Sequence, residues 1–142
     1  MNEYCAWLPI VLLGLLAGCS GATPGAPPPT AEDGPAMNAG ARLFNANCIA
    51  CHASNGRGIP GVYPSLAGSP VVLGDPKELA LWVIKGRRPP SLSAGRYPTS
   101  MIEFGWMKPA DAAALLTFVR ASFGNAAPPV DAATIAAALG PS

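Results

Sequence analysis

Apolar residues recur at helical spacing in three short stretches of the chain, residues 36–47, 76–85 and 109–124. Residues three or four positions apart lie on one face of a helix, so each stretch predicts a short helix with an apolar face. The residues that define these faces are Gly40 and Phe44 in the first stretch, Leu79, Trp82 and Val83 in the second, and Leu115, Phe118 and Val119 in the third. The pattern therefore predicts an all-α protein with three or four short helices.

Capping residues indicate where the second and third helices begin and end. Asp75 followed by Pro76 is a typical helix start, because Asp accepts a hydrogen bond from a free backbone N–H and proline fits the first helical position. Gly86 is expected to end that helix, since glycine readily adopts the left-handed conformation found after many helices. In the same way, Pro109 is expected to begin the third helix and Gly124 to end it.

The longest apolar run extends from Ala6 to Ala17 and is interrupted only by Pro9 and Gly14. It is shorter than the roughly 20 residues of a membrane-spanning helix and has the length of the apolar region of a secretory signal peptide. The sequence Leu-Ala-Gly-Cys19 that follows resembles the lipobox of bacterial lipoproteins, which implies cleavage before Cys19 and lipidation of its thiol. Residues 1–7 depart from that pattern, because they contain no Lys or Arg. An ordinary cleaved signal and an uncleaved anchor are the alternatives.

Composition divides the chain into four regions. A signal peptide of residues 1–18 is followed by residues 19–36, which are mostly Gly, Ala, Pro and Thr and predict a semi-rigid linker. Residues 37–125 are expected to form the folded domain. Residues 126–142 are low in complexity, although their apolar positions fit one side of a short helix that starts at Asp131. The sequence leaves open whether this tail packs on the domain or is disordered.

The overall composition limits the classes of protein. Apolar residues make up 50% of the chain and charged residues 12%, and 16 Gly and 17 Pro leave room for short elements only. Disordered chains usually combine low hydrophobicity with high net charge, so this composition argues against disorder. The net charge of +1 excludes the basic excess of a general nucleic-acid binder. Something besides the short helices must organise the core.

The sequence Cys48-Ile-Ala-Cys51-His52 carries the chemistry. Two thiols three positions apart can each reach one vinyl group of the same porphyrin, and the next residue places an imidazole under the iron. The spacing is the pattern of c-type haem attachment. A zinc site needs four ligands, but His52 is the only histidine and the other two cysteines lie in the export segment. A thioredoxin-like pair needs a βαβ context that is absent here. A disulfide between Cys48 and Cys51 would leave His52 unexplained.

Over residues 37–125 the chain resembles the class I monohaem cytochrome c family. The resemblance implies the class I cytochrome c fold, in which short helices wrap around one covalently bound haem c. In that family the first helix crosses the last through a small and an aromatic residue. Gly40 and Phe44 occupy these positions, and Leu115 and Phe118 are their expected partners. Haem attachment of this kind takes place outside the bacterial cytoplasm, which agrees with the predicted export.

The loop after the motif, residues 56–68, resembles the family segment that runs beside the haem. By position, the resemblance implies that the Pro64 carbonyl accepts a hydrogen bond from Nδ1–H of His52 and that Leu66 packs on the haem ring. An acceptor at this place fixes the tautomer and the orientation of a ligating imidazole. A surface loop without haem contact is the alternative.

An electron-transfer haem needs a second axial ligand, and without a second histidine the candidates are Met37, Met101 and Met107. Met37 lies on the first helix, too close to the attachment site to reach the opposite face of the haem. Met101 lies in a segment that resembles the family sequence Met-Pro-x-Phe-Gly, although Ile102 replaces the proline. The resemblance implies Met101 as the ligand, whereas Met107 is expected to fill the core. Ligation by Met107 or by neither methionine is the alternative.

These features predict a one-electron carrier and not an enzyme: a cytochrome c lipid-anchored to a membrane of the bacterial periplasm. Residues 61–76 look most like the cytochrome domains of membrane-bound alcohol and sugar-acid dehydrogenases. This likeness implies redox partners in a dehydrogenase and the respiratory chain, and a free-standing carrier that serves a terminal oxidase is the alternative. A haem enzyme or gas-binding sensor with an open sixth site and a structural lipoprotein with a fortuitous motif are the rival classes.

Two further groups have open roles. Residues 85–90, with Arg96 nearby, concentrate basic charge, which could neutralise haem propionates, guide an acidic partner or form a solvated loop. Trp82 could donate its N–H to a propionate or fill the core.

Overall fold

The computed structural model describes residues 34–92, 96–98 and 100–140. The helices in this part of the chain are α1 (Pro35–Asn47), α2 (Ile49–His52), α3 (Pro70–Leu73), α4 (Pro76–Lys85), α5 (Pro109–Ala121) and α6 (Ala132–Leu139). The only β-pairing among the described residues is an isolated bridge between Ile59 and Tyr63, so the all-α fold class is confirmed. None of the described helices has the length and apolarity needed to span a membrane. The predicted signal peptide, Cys19 and most of the linker lie outside the described residues.

Helix α1 crosses α5 at Gly40, as the sequence predicts. A Cβ on Gly40 would lie 2.5 Å from Cβ of Phe118 and would overlap the backbone oxygen of Ala114, so only glycine permits this approach. The rings of Phe44 and Phe118 pack with centroids 5.6 Å apart. Phe118 is thus an expected partner that the structure confirms; Ala114 also lies against Gly40, and Leu115, one residue on, lines the central cavity of the domain together with Phe44.

A third aromatic ring, Phe123, completes the contact between these helices. Its centroid lies 5.1 Å from that of Phe44 and 5.7 Å from that of Phe118. Tilted and edge-to-face pairs of this kind each contribute about 0.5–1.5 kcal/mol beyond the area they bury. The ring also covers Gly56, because a Cβ there would lie only 2.5 Å from its Cδ2 atom. Phe123 therefore connects the helix crossing to the loop after the cysteine motif.

Helix α4 has the bounds that the capping pattern predicts. Oδ1 of Asp75 accepts a hydrogen bond from the backbone N–H of Lys77 at 2.8 Å, and Gly86 ends the helix with φ of 65°. The carbonyl of Val83 accepts a hydrogen bond from the N–H of Phe104 at 3.1 Å. This bond ties the segment that carries Met101 to the end of α4.

The C-terminal segment packs on the domain, which is one of the two outcomes that its sequence leaves open. Helix α6 contacts α4 and α5, and Val130 and Ile135 are buried in the core. The hydroxyl of Thr117 donates to the carbonyl of Val130 at 3.1 Å and accepts from its N–H at 3.0 Å. Asp131 caps α6 by accepting from the N–H of Thr134 at 2.6 Å.

Arg120 joins α5 to two other parts of the chain. Its side chain is 3% exposed, and Nη1 donates to the carbonyls of Val72 and Gly74 at 2.7 and 2.9 Å. Nε donates to the carbonyl of Pro128 at 3.0 Å. Burial lowers the pKa of the guanidinium, although the charge of Asp75 opposes this effect; arginine nevertheless stays charged in proteins. Arg120 thus holds the end of α3 and the C-terminal segment against α5.

Candidate functional site

A central cavity of about 270 Å³ lies among α3, α4, α5 and the loops on either side of them. Its apolar lining includes Leu66, Val72, Leu79, Val83, Leu116 and Val119. Cys48, Cys51 and His52 also line it, and so does Met101. An apolar cavity with thiols, an imidazole and a thioether around it fits an iron porphyrin, because the walls match the ring and the sulfur and nitrogen atoms match its attachment points and its metal.

Cys48 lies between α1 and α2, and Cys51 lies within α2, next to His52. Both thiols are free of disulfide bonds, so the disulfide alternative does not describe this structure. Burial, followed by the neighbouring charge of Cys51, raises the pKa of Cys48 to about 11, and this thiol is therefore protonated at neutral pH. Two free thiols at the wall of the cavity are what thioether attachment requires.

His52 is held in one orientation by the loop after α2. Its Nδ1 lies 3.0 Å from the carbonyl oxygen of Pro64, which is the hydrogen bond that the sequence implies. A carbonyl only accepts, so Nδ1 carries the proton and Nε2 keeps its lone pair. Burial is the main influence on the ring and lowers its pKa, while the bond to Pro64 opposes that shift. A neutral imidazole of this tautomer is suited to bind a metal through Nε2.

The loop that carries Pro64 and Leu66 is fastened at both ends. The N–H of Leu66 donates to the carbonyl of Gly56 at 2.7 Å. Asn125 accepts from the N–H of Gly68 at 2.9 Å and donates to the carbonyls of Leu66 and Val119 at 3.1 and 2.9 Å. These bonds keep Leu66 on the cavity wall. Asn125 is not predictable as a site residue from the sequence, because a single asparagine after a helix carries no signal of its distant partners.

The three candidate methionines lie in different places. Met101 lines the central cavity together with His52, whereas Met107 is buried and lines a smaller cavity of about 210 Å³ between α4 and α6. Met37 is buried on α1 and is not among the residues that line either cavity in the described part of the chain. Of the sequence-predicted site residues, the structure brings together Cys48, Cys51, His52, Pro64, Leu66 and Met101.

The wall of the cavity includes a cation–π pair. The guanidinium carbon of Arg88 lies 5.3 Å from the centroid of the Trp82 ring, and both residues line the cavity. Tyr97 lines it as well. A positive charge and two aromatic donors at a mostly apolar wall can accommodate the carboxylates of a porphyrin. The structure thus places Trp82 at the cavity.

The fold and this set of residues define a cytochrome c, and residues 37–122 match the cytochrome c family. The chain belongs to that family.

Its relatives include cytochrome subunits and a whole cytochrome. It is 38% identical over 96 residues to the cytochrome c subunit of alcohol dehydrogenase (quinone) from Gluconobacter oxydans, a match that covers 64% of this chain and 20% of the subunit. Cytochrome c-552 of Thermus thermophilus is 33% identical over 92 residues, which is 61% of this chain and 70% of that protein. The gluconate 2-dehydrogenase cytochrome c subunit of Pantoea cypripedii is 31% identical over 91 residues, 62% of this chain and 21% of the subunit. The chain thus spans about a fifth of the length of these dehydrogenase subunits.

Family membership establishes the cofactor and the general activity. A cytochrome c carries covalently bound haem c and transfers electrons. The similar proteins are electron carriers or cytochrome subunits and not the catalytic chains of dehydrogenases. When bound, the haem supplies one-electron iron redox chemistry. The contribution of the chain is to hold the group, orient its ligands and keep water away from it.

Proposed function

We propose that this protein is a membrane-tethered electron carrier of the bacterial periplasm, with a haem attached through Cys48 and Cys51 and ligated by His52 and Met101. One observation carries the proposal: His52, whose Nδ1 is engaged by Pro64, and Met101 line the same apolar cavity. Both axial positions are then filled by side chains. Thioether ligation favours the ferrous state and raises the potential.

The ligand assignment is tested by spectroscopy of methionine variants. Met101→Ala should remove the weak near-infrared absorption that an iron–thioether bond gives in the ferric protein, because Met101 lines the haem cavity. Met107→Ala should keep it, since Met107 lines the smaller cavity. Loss of the band in Met107→Ala alone would reverse the assignment. Rapid binding of carbon monoxide to the ferrous wild type at neutral pH would favour the rival class, a gas-binding protein with an open sixth position.

The proposed electron donor is a dehydrogenase, and the acceptor belongs to the respiratory chain. Support comes from the similarity to cytochrome subunits of alcohol and gluconate dehydrogenases. The test is affinity purification of the tagged full chain from detergent-solubilised membranes of its own host, followed by mass spectrometry. Recovery of a dehydrogenase catalytic chain is the expected result. Recovery of a terminal oxidase alone would favour the free-standing carrier.

The proposed tether is a lipid on Cys19, which lies outside the described residues. In cells given labelled palmitate, Cys19→Ser should abolish labelling and release the haem protein into the soluble periplasmic fraction. Cys5→Ser is the matched control, because Cys5 precedes the predicted cleavage site, and it should leave labelling unchanged. A Cys19→Ser protein that remains labelled would contradict lipidation at this residue.

A further inference from the structure

The C-terminal segment that contains α6 lies outside the match between this chain and its family, which ends at residue 122. Helix α6 nevertheless contacts both α4 and α5, and Ile135 on this helix is fully buried. The backbone just before α6 is fixed as well, because two of its carbonyls accept hydrogen bonds from Thr117 and Arg120 on α5. The segment therefore has a defined place in the fold, and the family match assigns no role to it.

Helix α6 lies beside the part of the chain that carries Met101. Residues 100–108, here called the Met101 segment, lead from the haem cavity to the start of α5 at Pro109. The smaller cavity of about 210 Å³ is formed in part by this segment and in part by α6, and its lining includes Gly105, Met107, Ala136 and Leu139. Helix α6 thus faces the half of the Met101 segment that follows Phe104.

Helix α4 contacts the Met101 segment from another direction. The N–H of Phe104 donates to the carbonyl of Val83 at 3.1 Å. Glu103 lies over Gly86 at the end of α4, because a Cβ on Gly86 would come within 2.9 Å of the Glu103 side chain. The Met101 segment is therefore bonded to α4 and faces α6 across the smaller cavity.

The position of Met101 depends on how firmly this segment is held. A side chain on a loop is positioned only as well as the packing and the hydrogen bonds that hold the loop. Phe104 and Met107 are each 4% exposed, and the N–H of Met107 donates to the carbonyl of Phe104 at 2.9 Å. These two buried residues connect Met101 to α4 and to the cavity beside α6. Space gained next to Met107 would therefore loosen the backbone that carries Met101.

We propose that α6 is a brace for the axial ligand: by packing at the smaller cavity it holds the Met101 segment against α4 and keeps the thioether of Met101 at the haem. Leu139 is the positioning residue, because it belongs to α6, lines the smaller cavity and packs against the core. This proposal rests on the proposed function, in which Met101 is a ligand, and adds the element that holds it.

A purely structural role for α6 is the alternative. Helix α6 would then only cover apolar surface of α4 and α5, and any substitution that lowers stability to the same degree would affect the sixth position equally. Met37 supplies this comparison. It is buried on α1 and is not among the residues that line either cavity in the described part of the chain.

The test measures how readily imidazole replaces the sixth ligand in the ferric full-length holoprotein. Imidazole binds haem iron through a ring nitrogen, and the change in haem absorption during a titration gives its apparent Kd. A side chain that is held less firmly competes less well, so a smaller Kd indicates a less firmly held Met101. The variant is Leu139→Ala and the matched control is Met37→Ala, each of which truncates an apolar side chain. Urea titrations record the loss of folding free energy in both.

Leu139→Ala should lower the apparent Kd for imidazole about tenfold, and Met37→Ala should change it less than about threefold. Leu139→Met should restore the Kd to within about twofold of the wild type, because methionine has nearly the same volume as leucine. If Leu139→Ala does not fold, Ile135→Val replaces it, with an expected decrease of about threefold. Equal changes in the α6 variant and in Met37→Ala, or an unchanged Kd in the α6 variant, would overturn the brace.

Hydrogen exchange of the ferrous holoproteins, followed by NMR, gives a second measurement that does not involve imidazole. The N–H of Phe104 should exchange at least about tenfold faster in Leu139→Ala than in the wild type. The N–H of Leu66, which donates to the carbonyl of Gly56 on the His52 side of the haem cavity, should keep its rate. Equal acceleration at both amides would show a general loosening of the domain and would overturn the brace.

Met101→Ala separates failure of the brace from failure of the proposed function. This variant should bind imidazole at least about a hundredfold more tightly than the wild type, because no side chain then competes for the sixth position. An unchanged Kd in Met101→Ala would show that Met101 is not the ligand and would overturn both proposals. Tighter binding in Met101→Ala, together with an unchanged Kd in Leu139→Ala, would overturn the brace alone.

Discussion

The hydrogen bond between His52 and Pro64 depends on the absence of a side chain at Gly58. A Cβ on Gly58 would lie 2.5 Å from the Pro64 oxygen and would overlap the carbonyl of Tyr63. To reach ordinary van der Waals contact at 3.4 Å, the Pro64 oxygen would have to retreat by about 0.9 Å. A displacement of that size along the hydrogen bond would stretch it from 3.0 Å to about 3.9 Å, beyond hydrogen-bonding distance.

Gly58→Ala should therefore raise the haem reduction potential. The bond to Pro64 increases the basicity of the imidazole, so its loss weakens electron donation to the ferric iron. A net hydrogen-bond contribution of about 1 kcal/mol corresponds to at most about 40 mV for a one-electron couple. Spectroelectrochemical titration of the purified holoprotein measures this shift.

Gly61→Ala is the matched control. Gly58 and Gly61 both have positive φ, 65° and 76°, so alanine at either position should cost about 1–2 kcal/mol of folding free energy. A Cβ on Gly61 would meet nothing within 4 Å, however, and the control should shift the potential by less than about 10 mV. Equal potentials for the two variants would refute the reasoning, because backbone strain alone would then explain Gly58.

Three further predictions concern stability. Arg120→Ala should lower the free energy of unfolding by about 1–3 kcal/mol in urea titrations, because it removes the donor to one buried and two partly buried carbonyls. Arg57→Ala, at an exposed position, should change it by less than about 0.5 kcal/mol. Asp131→Ala should destabilise the protein at pH 7, because the hydrogen bond from Thr134 lowers the pKa of Asp131 in the folded state. The contribution of Asp131 to stability is therefore present above the unfolded pKa of about 3.9 and is lost as the pH falls through the folded pKa. Equal destabilisation by the variant in stronger acid would contradict this. Protein made without haem should lose most of its helical circular dichroism, because the central cavity would have no occupant, and a fully helical apoprotein would show that the helices pack without it.

Local patterns predicted part of the fold closely. Helix α4 has the predicted bounds, because its start and end depend on Asp75, Pro76 and Gly86, which act within one turn of the helix. Helix α1 begins one residue earlier than predicted, at Pro35. The two short helices α2 and α3 were not predicted as separate elements, since four residues are too few to show a periodic pattern.

Contacts between distant residues could not be read from the same patterns. The register of α5 against α1 places Ala114 beside Gly40 and Leu115 at the cavity wall. A shift of α5 by one residue would change both contacts. The aromatic contacts of Phe123 likewise join residues far apart in sequence, as do the hydrogen bonds of Asn125. No local signal indicates such partners.

The sequence by itself determined the chemistry of this protein, because haem attachment depends on Cys48, Cys51 and His52, which are neighbours along the chain. Tertiary structure decided which methionine shares the cavity with His52, since Met101 and Met107 differ by only six positions and carry the same side chain. It also decided that the C-terminal segment packs, through α6 and the bonds of Arg120. The physical reason is the range of the interactions: covalent spacing and helix caps act between neighbours, whereas burial depends on residues that only folding brings together.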